Sequence, residues 1–226
     1  PPFSFILFSD VQEELPRVQD AYTIMNTFPE AQFMISAGDL TNNGEEAQLI
    51  EYQQRMRGLN IPQYVTPGNH DTFDTTDHDW HTLFGRHSHS FSFRETRFTF
   101  VDSAAATVDP IVYGWLKKWL DEGRDQLHIF TTHIPIIDPS GFRNGSFRSR
   151  QEAHKILAML AEGNVDLTLY GHVHTYLHFT NGGIEAIISG GGGGWPERLD
   201  NIGRHFVLFT VDPVTQQVTH EAILVV

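Results

Sequence analysis

Phe3-Ser4-Phe5-Ile6-Leu7-Phe8-Ser9-Asp10-Val11-Gln12 is the stretch that decides the fold. A nearly continuous apolar and aromatic run of this length reads as a strand buried on both faces. It ends abruptly in side chains that carry oxygen donors. The same sentence recurs along the chain. Apolar runs at 32–36, 62–66, 126–132 and 165–170 lead into Gly38-Asp39, Pro67-Gly68-Asn69-His70-Asp71, Thr132-His133 and Gly171-His172-Val173-His174. In an open α/β sheet, ligands collect beyond the carboxyl ends of the strands, so this repetition predicts one shared crevice.

Between these runs the apolar spacing is helical, at about 13–27, 45–58, 112–122 and 149–161. The third of these helices sets Val112, Trp115, Leu116, Trp119 and Leu120 on one face. Strand and helix alternate, which makes the class α/β. From about 174 the pattern changes to successive strands at 175–180, 184–189, 204–211 and 217–225. Asn181-Gly182-Gly183 and Asp212-Pro213 mark the turns between them. A second, antiparallel sheet is expected there, and a further hairpin at 90–101.

The 226 residues, 40% hydrophobic and 12% aromatic, suffice for one domain, 1–226, with a full core. No apolar run approaches the roughly 20 residues of a membrane-spanning helix. Fifteen Lys and Arg against 28 Asp and Glu leave a net charge of −13, which makes long nucleic acid a poor partner and a small molecule the better one. The chain has no cysteine, so a metal would have to be held by His, Asp, Asn or Gln. It begins Pro1-Pro2, a start that suits a soluble cytoplasmic protein or an exported one without its signal peptide. With no heptad pattern, a monomer is expected.

Asp10, Gln12, Asp39, Asn69, His133, His172 and His174 offer oxygen and imidazole donors in a mixture suited to two manganese, iron or zinc ions. Two ions about 3.5–4 Å apart can clamp a phosphoryl group and activate water. Asp39 is the candidate to bridge them, because Gly38 before it lets backbone approach closely.

Asp10-x-Gln12, Gly38-Asp39, Gly68-Asn69-His70-Asp71, His133 and Gly171-His172-x-His174, in this order and spacing, resemble the five-block signature of the calcineurin-like metallophosphoesterases. Phe84-Gly85, Ser92-Phe93, Val101-Asp102-Ser103 and Trp115-Leu116 extend the likeness over nearly the whole chain. The resemblance implies a four-layer αββα sandwich, two central mixed sheets flanked by helices. It implies one metal on Asp10, Gln12, Asp39 and His174, and a second on Asp39, Asn69, His133 and His172. It further implies a phosphatase or phosphodiesterase that cleaves phosphate mono- or diesters with a metal-activated hydroxide. His70 would assist the leaving group as acid or stabiliser, oriented by Asp71. A non-catalytic metal-binding scaffold of the same fold, or a nuclease, is the alternative.

The family commonly has His where this chain has Gln12. A neutral amide oxygen in place of an imidazole nitrogen makes the first site harder, so manganese or iron is expected ahead of zinc, with magnesium or calcium also compatible. Outside the signature, His78, His81, His87 and His89 read as packing or surface groups, with a substrate wall or an extra metal site as the alternative. Arg143, Arg148 and Arg150 read as part of a solvated loop, or as a grip on a substrate phosphate. Gly190 to Gly194 reads as a close-packed turn near the site. Trp195 is expected to pack at a sheet edge, with stacking on a substrate ring as the other reading; Phe142 and Phe147 are treated alike.

Overall fold

The structure is a computed structural model that describes residues 1–73, 77–141, 145–197 and 202–226. Its first sheet runs β11 (Gln217–Leu224), β10 (His205–Asp212), β1 (Phe3–Leu7), β2 (Ala31–Ser36), β3 (Gln63–Val65). The second runs β4 (His89–Phe93), β5 (Thr96–Phe100), β6 (Leu127–Thr131), β7 (Leu167–Tyr170), β9 (Ile184–Ser189), β8 (Tyr176–Asn181). The inner strands β1, β6 and β7 are buried at every position, as their continuous apolar runs require.

Alternation along the strands divides the core into three layers. Phe5, Leu7, Phe33 and Ile35 of the first sheet meet Phe98, Ile129, Leu169 and Ile187 of the second, forming the layer between the sheets. Ile6 and Met34 point the other way, onto α1 (Val18–Met25) and α2 (Glu46–Arg55), with α3 (Asp77–Phe84) packed against α2. Phe130 and Tyr170 face α4 (Val112–Gly123) and α5 (Arg150–Glu162). Helix, sheet, sheet, helix is the sandwich expected from the sequence.

Three details differ. The late strands do not make a sheet of their own. The β8/β9 hairpin joins the second sheet with β9 parallel to β7, while β10 extends the first sheet antiparallel to β1 and β11 pairs antiparallel with β10 at its edge. A hairpin carries the same alternation whichever edge it joins, so sequence pattern does not choose between edges. The helix expected at 13–27 is a 3-10 segment, Gln12–Arg17, followed by α1, because Pro16 lacks the N–H that an α-helical turn needs. On α4, Val112, Leu116 and Leu120 are buried, but Trp115 turns outward and remains 40% exposed. The hairpin at 90–101 is present as β4/β5, its turn made by Arg94 and Glu95, both in the left-handed region. Among the described residues no helix is long and apolar enough to cross a membrane.

Candidate metal centre

β1, β2 and β3 run parallel in one sheet, and β5, β6 and β7 run parallel in the other. The loops beyond their carboxyl ends interlock through main-chain bonds, Asp10 N to Gly38 O at 3.0 Å and Gly171 N to His133 O at 3.0 Å. Gly38 (φ +95°) is where this needs a glycine: a Cβ there would lie 2.6 Å from Gly68 N and 2.8 Å from His133 Nδ1. The close approach expected at Gly38 is therefore real.

The fold gathers all the candidate ligands. Asp39, His133 and His172 form one group, and Asp10, Asp39 and His174 another, with donor atoms of each group within 4.8 Å of one another. Asp39 belongs to both. Asn69 Oδ1 lies 3.1 Å from His133 Nε2, on the side of the first group. Gln12 Nε2 lies 2.7 Å from Asp39 Oδ2 and 3.3 Å from His174 Nε2, on the side of the second. The Gln12 amide thus meets the cluster through its nitrogen; a half-turn about the last side-chain bond brings Oε1, the atom a cation needs, to the same position.

Backbone geometry at these residues is unusual. Asp10, Gln12, Asp39 and His172 all hold φ between +44° and +67°. Such conformations cost on the order of 1 kcal/mol or more each and persist where the surroundings over-determine them, which is common at functional sites. Here the over-determination is visible: His172 N donates to Asp10 Oδ1 at 3.0 Å, and His70 N donates to Asp39 Oδ1 at 2.9 Å.

The chemistry fits bound cations. Asp10 and Asp39 are 0% and 1% exposed, yet among the described residues neither meets a Lys or Arg at ion-pair distance; their charged-group contacts are with histidines. Two buried carboxylates without a fixed cation are costly. The imidazoles are turned to serve. Nδ1 of His133 is held by Ala37 O at 2.7 Å and Nδ1 of His174 by Trp195 O at 2.7 Å, so each presents Nε2 to the carboxylates. Backbone carbonyls on the outer nitrogen are the usual support of a metal-bound histidine.

Electrostatics agree. Burial opposes ionisation of Asp39, but the charge of His133 and its hydrogen bond outweigh it and hold the carboxyl below the usual range. Burial would likewise strip the proton from His133, but Asp39 reverses this and lifts it to about 9. Burial and then the charge of His133 push His172 down to about 4, leaving it neutral with a free lone pair.

His70 is half-buried, and its Nδ1 is 2.7 Å from Asn42 O. The ring is therefore oriented by a carbonyl and not by Asp71 as expected. Asp71 is buried and accepts from Leu40 N, Thr41 N, Thr41 Oγ1 and Gly68 N, tying the Asp39 loop to the Asn69 loop. Burial, then repulsion from Asp39, raise it to about 6 despite these donors.

Of the remaining candidates, Arg148 and Arg150 line a cavity of 740 Å³ that reaches Asn69 and His172. Phe147 is 5% exposed and belongs to the core as well as to that cavity. His89 stacks on Phe100 at 4.4 Å, a packing role, whereas His81 and His87 stack on each other at 4.9 Å in the wall of a neighbouring cavity. The Trp195 ring is 74% exposed rather than packed; its contribution is the carbonyl. Arg143 and Phe142 lie outside the described residues, as does the side chain of His78. What the sequence did not reveal is the brace behind the first ligands, Gly192 N to Ser9 O at 2.8 Å and Gly194 N to Asp10 O at 2.9 Å. The glycine run was the available signal.

A family model described as calcineurin-like phosphoesterase matches residues 3–176. A Nostoc sp. protein named 3′,5′-cyclic-nucleotide phosphodiesterase is 28% identical over 154 residues, 65% of this chain and 57% of the relative. An Arcobacter nitrofigilis protein named probable glycerophosphodiester phosphodiesterase is 26% identical over 166 residues, 67% of this chain and 59% of the relative. The chain thus spans less than two thirds of the length of these relatives. A dimetal phosphatase from Danio rerio superposes with a TM-score of 0.77 at 13% identity, covering 99% of this chain and 96% of its own. A Plasmodium protein described as the anchor in the inner membrane complex gives 0.71 at 15%, covering 99% and 85%. At such identities these two share the fold alone.

Proposed function

The chain belongs to the calcineurin-like phosphoesterase family, and from that premise we propose that it hydrolyses small phosphodiesters at a dinuclear metal centre. Asp10, Gln12, Asp39 and His174 would hold one ion, and Asp39, Asn69, His133 and His172 the other, with residues 1–226 acting as one catalytic domain. The observation that carries this reading is the pair of buried carboxylates, Asp10 and Asp39, ringed by imidazoles whose Nε2 atoms face them. Two ions in such a donor set supply charge neutralisation at the phosphoryl oxygens and activation of water. Diesters are favoured over monoesters by the names of both curated relatives.

The protein's own residues have separable tasks. Asp39, common to both donor groups, sets their spacing. His70 has Nδ1–H engaged by Asn42 O, which leaves Nε2, in the imidazolium form, to donate a proton or hydrogen bond to the departing alkoxide. Arg148 and Arg150, in the cavity that reaches Asn69 and His172, offset the ester's negative charge. Elsewhere the net charge of −13 disfavours a long polyanion. Gln12 tilts the first site toward manganese or iron.

The test is hydrolysis of bis-p-nitrophenyl phosphate and p-nitrophenyl phosphate by metal-stripped protein with manganese, iron, zinc or calcium restored singly. Metal-dependent turnover with the diester preferred is expected. Protein that binds two ions and turns over neither these esters nor natural phosphodiesters would be a scaffold, and the proposal would fall.

A further inference from the structure

The cavity beside the metal centre has a larger neighbour of 1130 Å³, and Thr72, Ala104 and Ala105 line both. Cavities that hold drug-sized ligands are about 300–1,000 Å³. Space on this scale, adjoining a site that needs room only for a phosphoryl group, calls for an occupant. Resting on the phosphodiesterase reading, we propose that the larger cavity binds the non-reacting substituent of the substrate, and that this substituent is extended and apolar or aromatic.

The chemistry of the wall selects the occupant. Several of its polar groups are already engaged. Glu152 accepts from Thr107 Oγ1, Val108 N and Tyr113 Oη. Lys155 sits 3.4 Å above the Tyr113 ring. Asp102 takes His87 Nδ1 at 3.1 Å and Ala104 N at 2.9 Å. Large apolar side chains remain uncovered: Ile111 is 62% exposed and Trp115 40%, although Val112, Leu116 and Leu120 on the same helix are buried. A flat or branched apolar group laid against Trp115 and Ile111 would cover both. Arg148 and Arg150, neither ion-paired among the described residues, line the smaller cavity with Asn69 and His172, where the phosphate belongs.

Two diesters with one leaving group isolate this contribution: methyl p-nitrophenyl phosphate and 2-(2-naphthyl)ethyl p-nitrophenyl phosphate. In each, a water oxygen bonds to phosphorus, the bond to the aryl oxygen breaks, and p-nitrophenolate departs, its proton balance taken up by the solvent. Only the retained substituent differs. The naphthyl ester is expected to have the higher kcat/KM by about tenfold or more, chiefly through KM. In the Trp115→Ala/Ile111→Ala protein that ratio falls toward one, and Trp115→Phe keeps part of it. Gly114→Ala, on the same helix where an added Cβ meets nothing within 4 Å, retains the full ratio. Both wild-type residues are exposed, and thermal melts verify that the variants fold. Equal kcat/KM for the two esters, or a preference that survives the double substitution, overturns the subsite while the phosphodiesterase reading stands. Absence of turnover for both esters in protein loaded with two metals counts against that reading itself.

Discussion

The two halves of the proposed centre are built by different means. His133 and His172 follow closely on the ends of β6 and β7, and the buried His133 is locked between Ala37 O and Asn69 Oδ1, at 2.7 and 3.1 Å. Asp10, Gln12 and His174 lean on the glycine run. Gly192 and Gly194 hold the Asp10 loop by its carbonyls, and Trp195 O fixes the His174 ring. A Cβ at Gly194 would lie 2.4 Å from His174 Cε1 and 2.9 Å from Gln12 Oε1. That brace lies beyond residue 176, where the family match ends. One half of the centre is therefore held from the strand ends and their neighbouring loops, and the other leans in addition on a glycine loop that a substitution can disturb by itself.

Asp39 joins the halves, and its loss has the largest expected effect. Asp39→Ala should lower diester hydrolysis on the order of a thousandfold, read as kcat/KM with saturating manganese. Next comes His70→Ala, which should lower kcat on the order of a hundredfold while metal content stays at the wild-type value. Metal loss in that variant would move His70 from leaving-group assistance into the ligand set.

The comparison sharpens at Gly194. Gly194→Ala should weaken only the ion of the Asp10, Gln12 and His174 half, by roughly 10- to 100-fold in affinity, as for other supports behind a ligand. Competition with a chelating dye reads this as one weakened site and one unchanged. Equal weakening of both sites would mean that the halves are not independent. The smallest effect is expected from Gln12→His, which should shift the preference of the first half toward zinc without altering the second. An unchanged preference would remove Gln12 from the ligand set.

The contrast also explains what the sequence could convey. Asp10, Asp39, Asn69, His133 and His172 follow apolar runs within a few residues, so the strand and its chemical end are read together. Gly190 to Gly194 was legible only as a close-packed turn, because its partners Ser9 and Asp10 lie at the other end of the chain and are bound through backbone atoms that no residue type encodes. Asp71 misled for a related reason: adjacency to His70 suggested a contact, but burial and four donors turn its carboxylate toward Leu40, Thr41 and Gly68. Trp115 fits the helical stripe in sequence, yet its position at the edge of that stripe leaves it facing a cavity.

The most direct test of the central claim is elemental analysis of manganese bound after equilibrium dialysis, run on wild type, Gly194→Ala and Asp39→Ala together. A dinuclear centre sharing Asp39 requires about two ions per chain in wild type, close to one in Gly194→Ala at limiting manganese, and almost none in Asp39→Ala. Two ions retained by Asp39→Ala would contradict it.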